Sequence, residues 1–160
     1  MPGGMTRHDE AAVAITGEVN TLDTWRVTLQ SDATANDSDK NFVTPASTEQ
    51  QIFWIWVEFT STATAGDRQL VIEVQEAGAD VIGQWARAAM VQPASITRNY
   101  LFAPAEPDLS AWRDTDYLTT PIPPPAFLQA GDILRIYDNN AVDAAADDMI
   151  IHIQYGGRAV

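Results

Sequence analysis

Cysteine is absent from this 160-residue chain, and lysine occurs once, at Lys40. No apolar run approaches the ~20 residues that a membrane-spanning helix requires. Without cysteine there is no disulfide framework and no thiolate metal site, and the redox compartment is left unmarked. The single lysine belongs to a wider shortage of positive charge: nine basic residues stand against 22 acidic ones, a net charge of −13. Such a chain repels phosphate backbones, and no cluster of Lys or Arg offers a local exception, so no nucleic acid is expected as a partner. Docking on an anionic membrane is disfavoured for the same reason. Solubility is the plain use of this acidity, ahead of any specific electrostatic role. The first residues, MPGGMTRHDEAAVA, lack the basic region and apolar stretch of a secretory signal, so manufacture in the cytosol is the expectation.

Catalytic signatures are missing too. There is no GxSxG, no HExxH and no phosphate-binding glycine loop. Paired carboxylates of the glycosidase kind carry no information here, because 22 acids guarantee many pairs. The chain therefore reads as a non-enzyme with no cofactor.

What is present is β-sheet. At 17.5 kDa, with 46% hydrophobic residues, the chain is long enough for one domain with its own core. Residues 1–22 have no sustained periodicity and read as an N-terminal arm; residues 23–160 read as a single β-sandwich domain. Residues 51–60, QIFWIWVEFT, are followed by TAGD and RQLVIEVQ, which reads as a hairpin. Period-two alternation sends Phe53, Ile55, Val57 and Phe59 to one face, and Ile52, Trp54, Trp56 and Glu58 to the other. Both faces are apolar up to Trp56, so the second face needs a cover, internal or from another molecule.

Further strands are expected at residues 25–30 (WRVTLQ, half-buried), at 95–102 and in AFLQAGDILRIYD, where Ala130, Gly131 and Asp132 form a turn between two strands; residues 81–92 fit a strand or a short helix, and Gly83 with the preceding turn favours the strand. The last strand is expected at residues 149–155. The polar stretch 31–48 reads as a long loop, and 109–125, with Pro121, Pro123, Pro124 and Pro125, as a connection along an edge or over the surface. About eight strands and no long helix predict an all-β, antiparallel sandwich of jelly-roll type.

Each candidate site has a plainer reading beside it. Asp37, Asp39 and Asn41 open like a calcium loop, but Phe42 stands where glycine is needed and Thr48 where glutamate is needed. Asp138, Asp143, Asp147 and Asp148 could converge on a cation, yet aspartates in turns more often cap backbone amides. No metal is assigned. His152 in the final strand is read as structural, since no Ser-His-Asp order surrounds it. The tryptophans at 25, 54, 56, 85 and 112 could fill the core, anchor a protein interface or form a sugar platform.

The segments WVEFT with its following turn, RDTDYL, the AGD turn before RIYD, and AAADDM before the last strand, taken together, resemble a group of small structural proteins of tailed bacteriophages. The resemblance covers residues 52–155. It implies a virion component with no catalytic residue: a capsid decoration or cement protein on the head exterior, made in the host cytoplasm. Its implied partners are the major capsid protein and copies of itself, as a dimer or trimer. Interface candidates on this reading are Thr6, Arg7 and Ala14 in the arm, and Trp112, Arg113 and Tyr117 in the long connection. A carbohydrate-binding β-sandwich module, or a tail or head–tail junction component, is the alternative.

Overall fold

The computed structural model describes residues 25–34, 36, 39–88, 90–104, 116–140, 142–143 and 145–160. The expected N-terminal arm, residues 1–22, lies outside them. The described residues form ten strands: β1 (Arg26–Asp32), β2 (Lys40–Val43), β3 (Thr48–Thr60), β4 (Leu70–Gln75), β5 (Val81–Arg87), β6 (Thr97–Pro104), β7 (Tyr117–Ile122), β8 (Phe127–Leu128), β9 (Ile133–Asp138) and β10 (Asp148–Ala159). The protein is all-β, with two sheets in a loosely sandwich-like arrangement. The larger sheet has the order β1-β10-β3-β6-β7, with β8 against β3; the smaller has the order β2-β9-β4-β5. Strands β6 and β7 pair in parallel, whereas the other strand pairs are antiparallel.

One core lies between the sheets. Ile55, Val57, Phe59, Tyr100, Phe102, Ile151 and Ile153 enter it from the larger sheet, and Phe42, Leu70, Ile72, Val74, Leu134 and Ile136 from the smaller. Burying each such side chain contributes about 1.5–3 kcal/mol, which sets the register of every central strand.

The structure corrects several sequence expectations. Strands β3 and β4 are not a hairpin, because each belongs to a different sheet. Both edges of β3 are taken by β10 and β6, and both edges of β4 by β5 and β9, so neither can accept the other. Residues 61–69 instead carry the chain from one sheet to the other. The turn at Ala130, Gly131 and Asp132 likewise changes sheets: β8 pairs with β3, while β9 pairs with β2 and β4. Gly131 has φ +88°, a backbone conformation that side chains disfavour.

Two expected connections contain strands. The polar stretch 31–48 holds β2, in which Lys40 and Phe42 are buried while Asn41 and Val43 face solvent. Lys40 reaches back to donate to the Thr34 carbonyl and to Asn36 Oδ1, both at 2.8 Å, so its charge is buried with partners. The proline-rich stretch 109–125 holds β7, an edge strand where Pro121 withholds no needed donor from a neighbour.

Alternation in β3 also breaks. The pairing of β3 with β10 slips by one residue between Ile52↔Tyr155 and Trp54↔Gln154, leaving Phe53 as an extra residue. This β-bulge puts Ile52 into the core with Ile55, while Phe53 and Trp54 are both only half-buried. Ile52 and Phe53 thus exchange the faces that a regular strand would give them.

Candidate functional site on the outer face of the larger sheet

Residues paired across neighbouring strands share a face, so the register alone assembles the outer face of the larger sheet. Trp56 lies beside His152 on one side and Leu101 on the other; Trp54 lies beside Gln154, which in turn faces Leu29. Leu101 faces Thr119, and Asn99 faces Tyr117. Val27 continues the row from Leu29 along β1, and Phe127 extends it beside Gln51. The result is a band of Trp25, Val27, Leu29, Phe53, Trp54, Trp56, Leu101, Tyr117 and Phe127.

Ring contacts organise the band into two clusters. Trp25 and Phe127 have centroids 6.1 Å apart, and the Arg158 guanidinium lies 5.1 Å from the Trp25 ring. Gly156 is the floor of this cluster: a Cβ there would come within 3.0 Å of the Phe53 ring and 3.1 Å of the Trp25 ring. In the second cluster the Trp56 and Tyr117 centroids are 6.2 Å apart. Trp54 keeps its indole N–H satisfied by donating to Gln154 Oε1 at 2.8 Å, so the ring lies down on the sheet.

The core reading of the tryptophans is therefore corrected for Trp25, Trp54 and Trp56, none of which points into the sandwich. Trp85 packs partly against the core. Strand β1, expected to be half-buried, is exposed along almost its whole length, with Val27 at 65% and Leu29 at 58%. Its apolar side faces away from the core and joins the aromatic band. Among the interface candidates, Tyr117 falls on this face; Thr6, Arg7, Ala14, Trp112 and Arg113 lie outside the described residues.

The centre of the smaller sheet's outer face is polar instead. Glu73 accepts hydrogen bonds from Gln75 Nε2 at 2.8 Å, Arg135 Nη1 at 3.1 Å and the Tyr137 hydroxyl at 3.1 Å. Arg135 also donates to Asp39 and lies 4.1 Å from the Tyr137 ring centroid. Burial works to raise the Glu73 pKa, but the bonds from Gln75, Arg135 and Tyr137 outweigh it and hold the carboxyl below its ordinary range. Under this canopy Val71, Glu73 and Gln75 are buried, with no third layer over them among the described residues. The smaller sheet thus covers the centre of its outer face, over β4 and β9, with polar bonds and leaves Val43, Val81 and Ile82 exposed on its edge strands, while the larger sheet carries aromatic and aliphatic surface across its whole width.

The polar candidates resolve into structural roles. The ring of His152 shares a 2.7 Å hydrogen bond, through Nδ1, with Ser31 Oγ. The two are direct cross-strand partners, so pairing alone brings them together, and no carboxylate orients the ring among the described residues. Asp143 accepts from the hydroxyls of Thr62 and Thr64, and Asp138 accepts from the amides of Gln69 and Asn140. Asp147 binds Arg68, and Asp39 of the calcium-like stretch binds Arg135. Among the described residues no three His, Cys, Asp or Glu side chains converge on a metal position.

No protein-family model matches the chain, and no curated protein matches it. Solved structures similar to it include one titled for the Gx strain of infectious bursal disease virus, with TM-score 0.35 and 9% identity, covering 84% of this chain and 37% of that one. Another is an exo-beta-agarase, with TM-score 0.32 and 10% identity, covering 85% of this chain and 22% of that one. A third, titled PfGH50B, has TM-score 0.30 and 9% identity over 84% of this chain and 22% of that one. The chain thus spans well under half the length of these neighbours, and likeness at these scores carries no argument about function.

Proposed function

We propose that this protein is a non-catalytic structural component of a tailed-bacteriophage particle, a capsid decoration or cement protein that holds the shell together by docking on it. The observation that carries the reading is the aromatic and aliphatic band on the outer face of the larger sheet. An antiparallel sheet in a self-sufficient sandwich alternates apolar residues inward with polar residues outward. Here Val27, Leu29, Trp54, Trp56 and Leu101 all lie on the outward side. Exposed apolar surface of this kind marks an interaction site, and tryptophan is the residue type that most often carries interface energy.

Two further observations support it. The strand orders β1-β10-β3-β6 and β2-β9-β4-β5 follow the interleaving of two Greek keys, so we read the fold as a jelly roll, an architecture used by viral shells and lectins. The resemblance of residues 52–155 to phage structural proteins points the same way, and an excess of acid suits a shell exterior better than a surface facing packaged DNA. The shell partner is the major capsid protein, and copies of the chain associate with one another. Stabilisation is by mass action: copies that bind the assembled shell and not its free subunits weight the assembled state.

The test is add-back to particles that lack this protein. Such particles rupture at lower temperature and regain strength when the protein returns, and Leu29→Asp or Trp56→Ala weakens the rescue at least tenfold in midpoint concentration. Equal rupture temperatures with and without the protein dispose of the role. A sugar-binding module is the second reading, favoured by the placing of Gln154, Asn99 and His152 beside the aromatic rings. Retardation in affinity electrophoresis through a polysaccharide, abolished by Trp54→Ala, selects it.

A further inference from the structure

Four strands end the two sheets, and three of them carry features that discourage further pairing. Strand β5 has two register irregularities against β4, β2 is four residues long, and β7 contains Pro121. Bulges, brevity and proline are the usual means by which sheet edges avoid adding another strand. Strand β1 has none of them. Its seven residues, RVTLQSD, pair with β10 in unbroken register, and it contains no proline and no lysine. No other described strand occupies its outer edge.

We propose that β1 pairs antiparallel with β1 of a second copy about a two-fold axis at Leu29, joining the larger sheets of two subunits into one. The sequence of the strand is complementary to its own reverse. With Leu29 on the axis, Arg26 meets Asp32 of the second copy, Val27 meets Ser31, and Thr28 meets Gln30. Two ion pairs close the ends of the seam, and Arg26 makes no ion pair within the described residues of its own subunit. Asp32 is already held below the ordinary carboxylate range: its burial, which acts the other way, is outweighed by the Thr34 amide and hydroxyl and by Lys40. It meets the incoming guanidinium as an anion. On the outer side the seam brings together Leu29 and Val27 of both copies, 58% and 65% exposed in the single chain. The aromatic bands of the two subunits then run on as one surface.

A one-residue shift of this register would place Arg26 against Ser31 and Thr28 against Leu29, losing both the charge match and the separation of apolar from polar sides. A two-fold interface contacts itself, which is the property that a self-complementary strand supplies. The inference rests on the preceding reading only in taking copies to associate, and its failure leaves docking on a shell protein untouched.

Because the full chain has no cysteine, one introduced thiol reports the pairing directly. Opposed residues of antiparallel strands have Cα atoms ~4.5–5.5 Å apart, within disulfide reach, and only the residue on the axis faces its own copy. Leu29→Cys is expected to form a disulfide-linked dimer at least ten times faster than Val27→Cys, whose thiol faces serine. In sedimentation velocity, Leu29→Lys and Arg26→Asp each shift the wild-type dimer toward monomer at least tenfold in dissociation constant, with circular dichroism unchanged. The double change Arg26→Asp with Asp32→Arg recovers at least part of the loss. A wild-type monomer at 100 μM overturns the proposal (the strength to be tested is about −5.5 kcal/mol at that concentration), as it would if the chain's own first residues occupy the edge. A dimer in which Leu29→Cys links no faster than Val27→Cys overturns it equally, by placing the interface elsewhere.

Discussion

Asp147→Asn removes one charge from a fully buried ion pair while leaving its shape, and this small change should be among the most damaging in the molecule. The Asp147 carboxylate accepts Arg68 Nε at 2.7 Å, Arg68 Nη2 at 3.2 Å and the Thr62 amide at 2.6 Å. Neither Arg68 nor Asp147 has any side-chain exposure. The remaining guanidinium donors bind the carbonyls of Thr64, at 2.9 Å, and Gly66, at 2.8 Å. One arginine therefore ties the passage from β3 to β4 to the residue that precedes β10. Asparagine keeps an acceptor but abandons the charge, leaving a buried guanidinium without its counter-ion, which costs about 3–5 kcal/mol. The entropy of unfolding, roughly 2.1 cal/mol/K per residue, is about 0.34 kcal/mol/K for a chain of 160, so the melting temperature should fall by about 9–15 °C. Thermal melts followed by circular dichroism at pH 7 measure this directly. A fall of less than about 3 °C would mean that water or a rearranged loop meets the charge, and would refute the account of a dry, committed pair.

The same carboxylate makes a statement about acid. Burial acts to raise the Asp147 pKa, but hydrogen bonds from Arg68 and Thr62 and the nearby guanidinium charge overcome it and hold the pKa below the ordinary value. Its stabilisation is complete above the unfolded-state value near ~3.9 and is lost as pH falls through the lower, folded-state pKa. Glu73 follows the same sign under its own partners. The Asn variant should accordingly show a shallower decline in unfolding free energy below about pH 4 than the parent protein does.

Two other perturbations probe a hydrogen-bonded pair in the polar interior, Gln92 and Tyr100. Gln92 is fully buried; its Nε2 donates to the carbonyls of Phe59, at 2.8 Å, and Ile96, at 3.0 Å, and its Oε1 accepts the Tyr100 hydroxyl at 2.9 Å. Gln92→Leu strands those groups at about 1–3 kcal/mol each, and a urea midpoint lowered by less than the equivalent of about 2 kcal/mol would show that they find other partners. Tyr100 is pushed up to about 12 by burial, with Arg98 opposing and Asp138 adding to the rise. Its neutral form supports the fold below about pH 10, and that support is lost as pH climbs through the folded-state value. Burial and the Glu73 carboxylate raise Tyr137 as well, so absorbance titration at 295 nm should show more than one tyrosine ionising late, the last of them together with unfolding; a single transition near pH 10 for all tyrosines would contradict the burial of Tyr100.

Much of the β architecture was legible in the sequence, and the places where it was not have a common cause. Alternation and β-branched or aromatic content located β1, β3, β4, β6, β9 and β10, whereas β5, open by periodicity to a strand or a short helix, was placed by Gly83 and the turn before it. They passed over β2 and β7, whose few apolar residues are interrupted by Lys40 and Asn41 in one and by two threonines and Pro121 in the other. These strands form because a neighbour supplies a ladder, β9 for β2 and β6 for β7, and that support is tertiary. The false hairpin between β3 and β4 has the same origin. A turn signal reports that the chain reverses, but not whether it returns to the sheet it has left.

The site shows a further limit of alternation. Period two tells which residues share a face, and in residues 25–30 it sorted Trp25, Val27 and Leu29 correctly from Arg26, Thr28 and Gln30. It carries no sign for inside and outside. In a strand covered on one side the apolar face is assigned inward by default, yet β1 extends the larger sheet and exposes both sides, so its polar residues share the core-facing side with Ile151 and Ile153. The sign is set by pairing: Leu29 is opposite Gln154, Gln154 is opposite Trp54, and Trp54 faces outward because it alternates with Ile55, which is buried in the core. Once those two facts are known, the apolar residues of β1 and the tryptophans of β3 lie on one surface, so the apolar second face that the sequence shows in β3 is continued by β1 rather than ending at the edge of one strand.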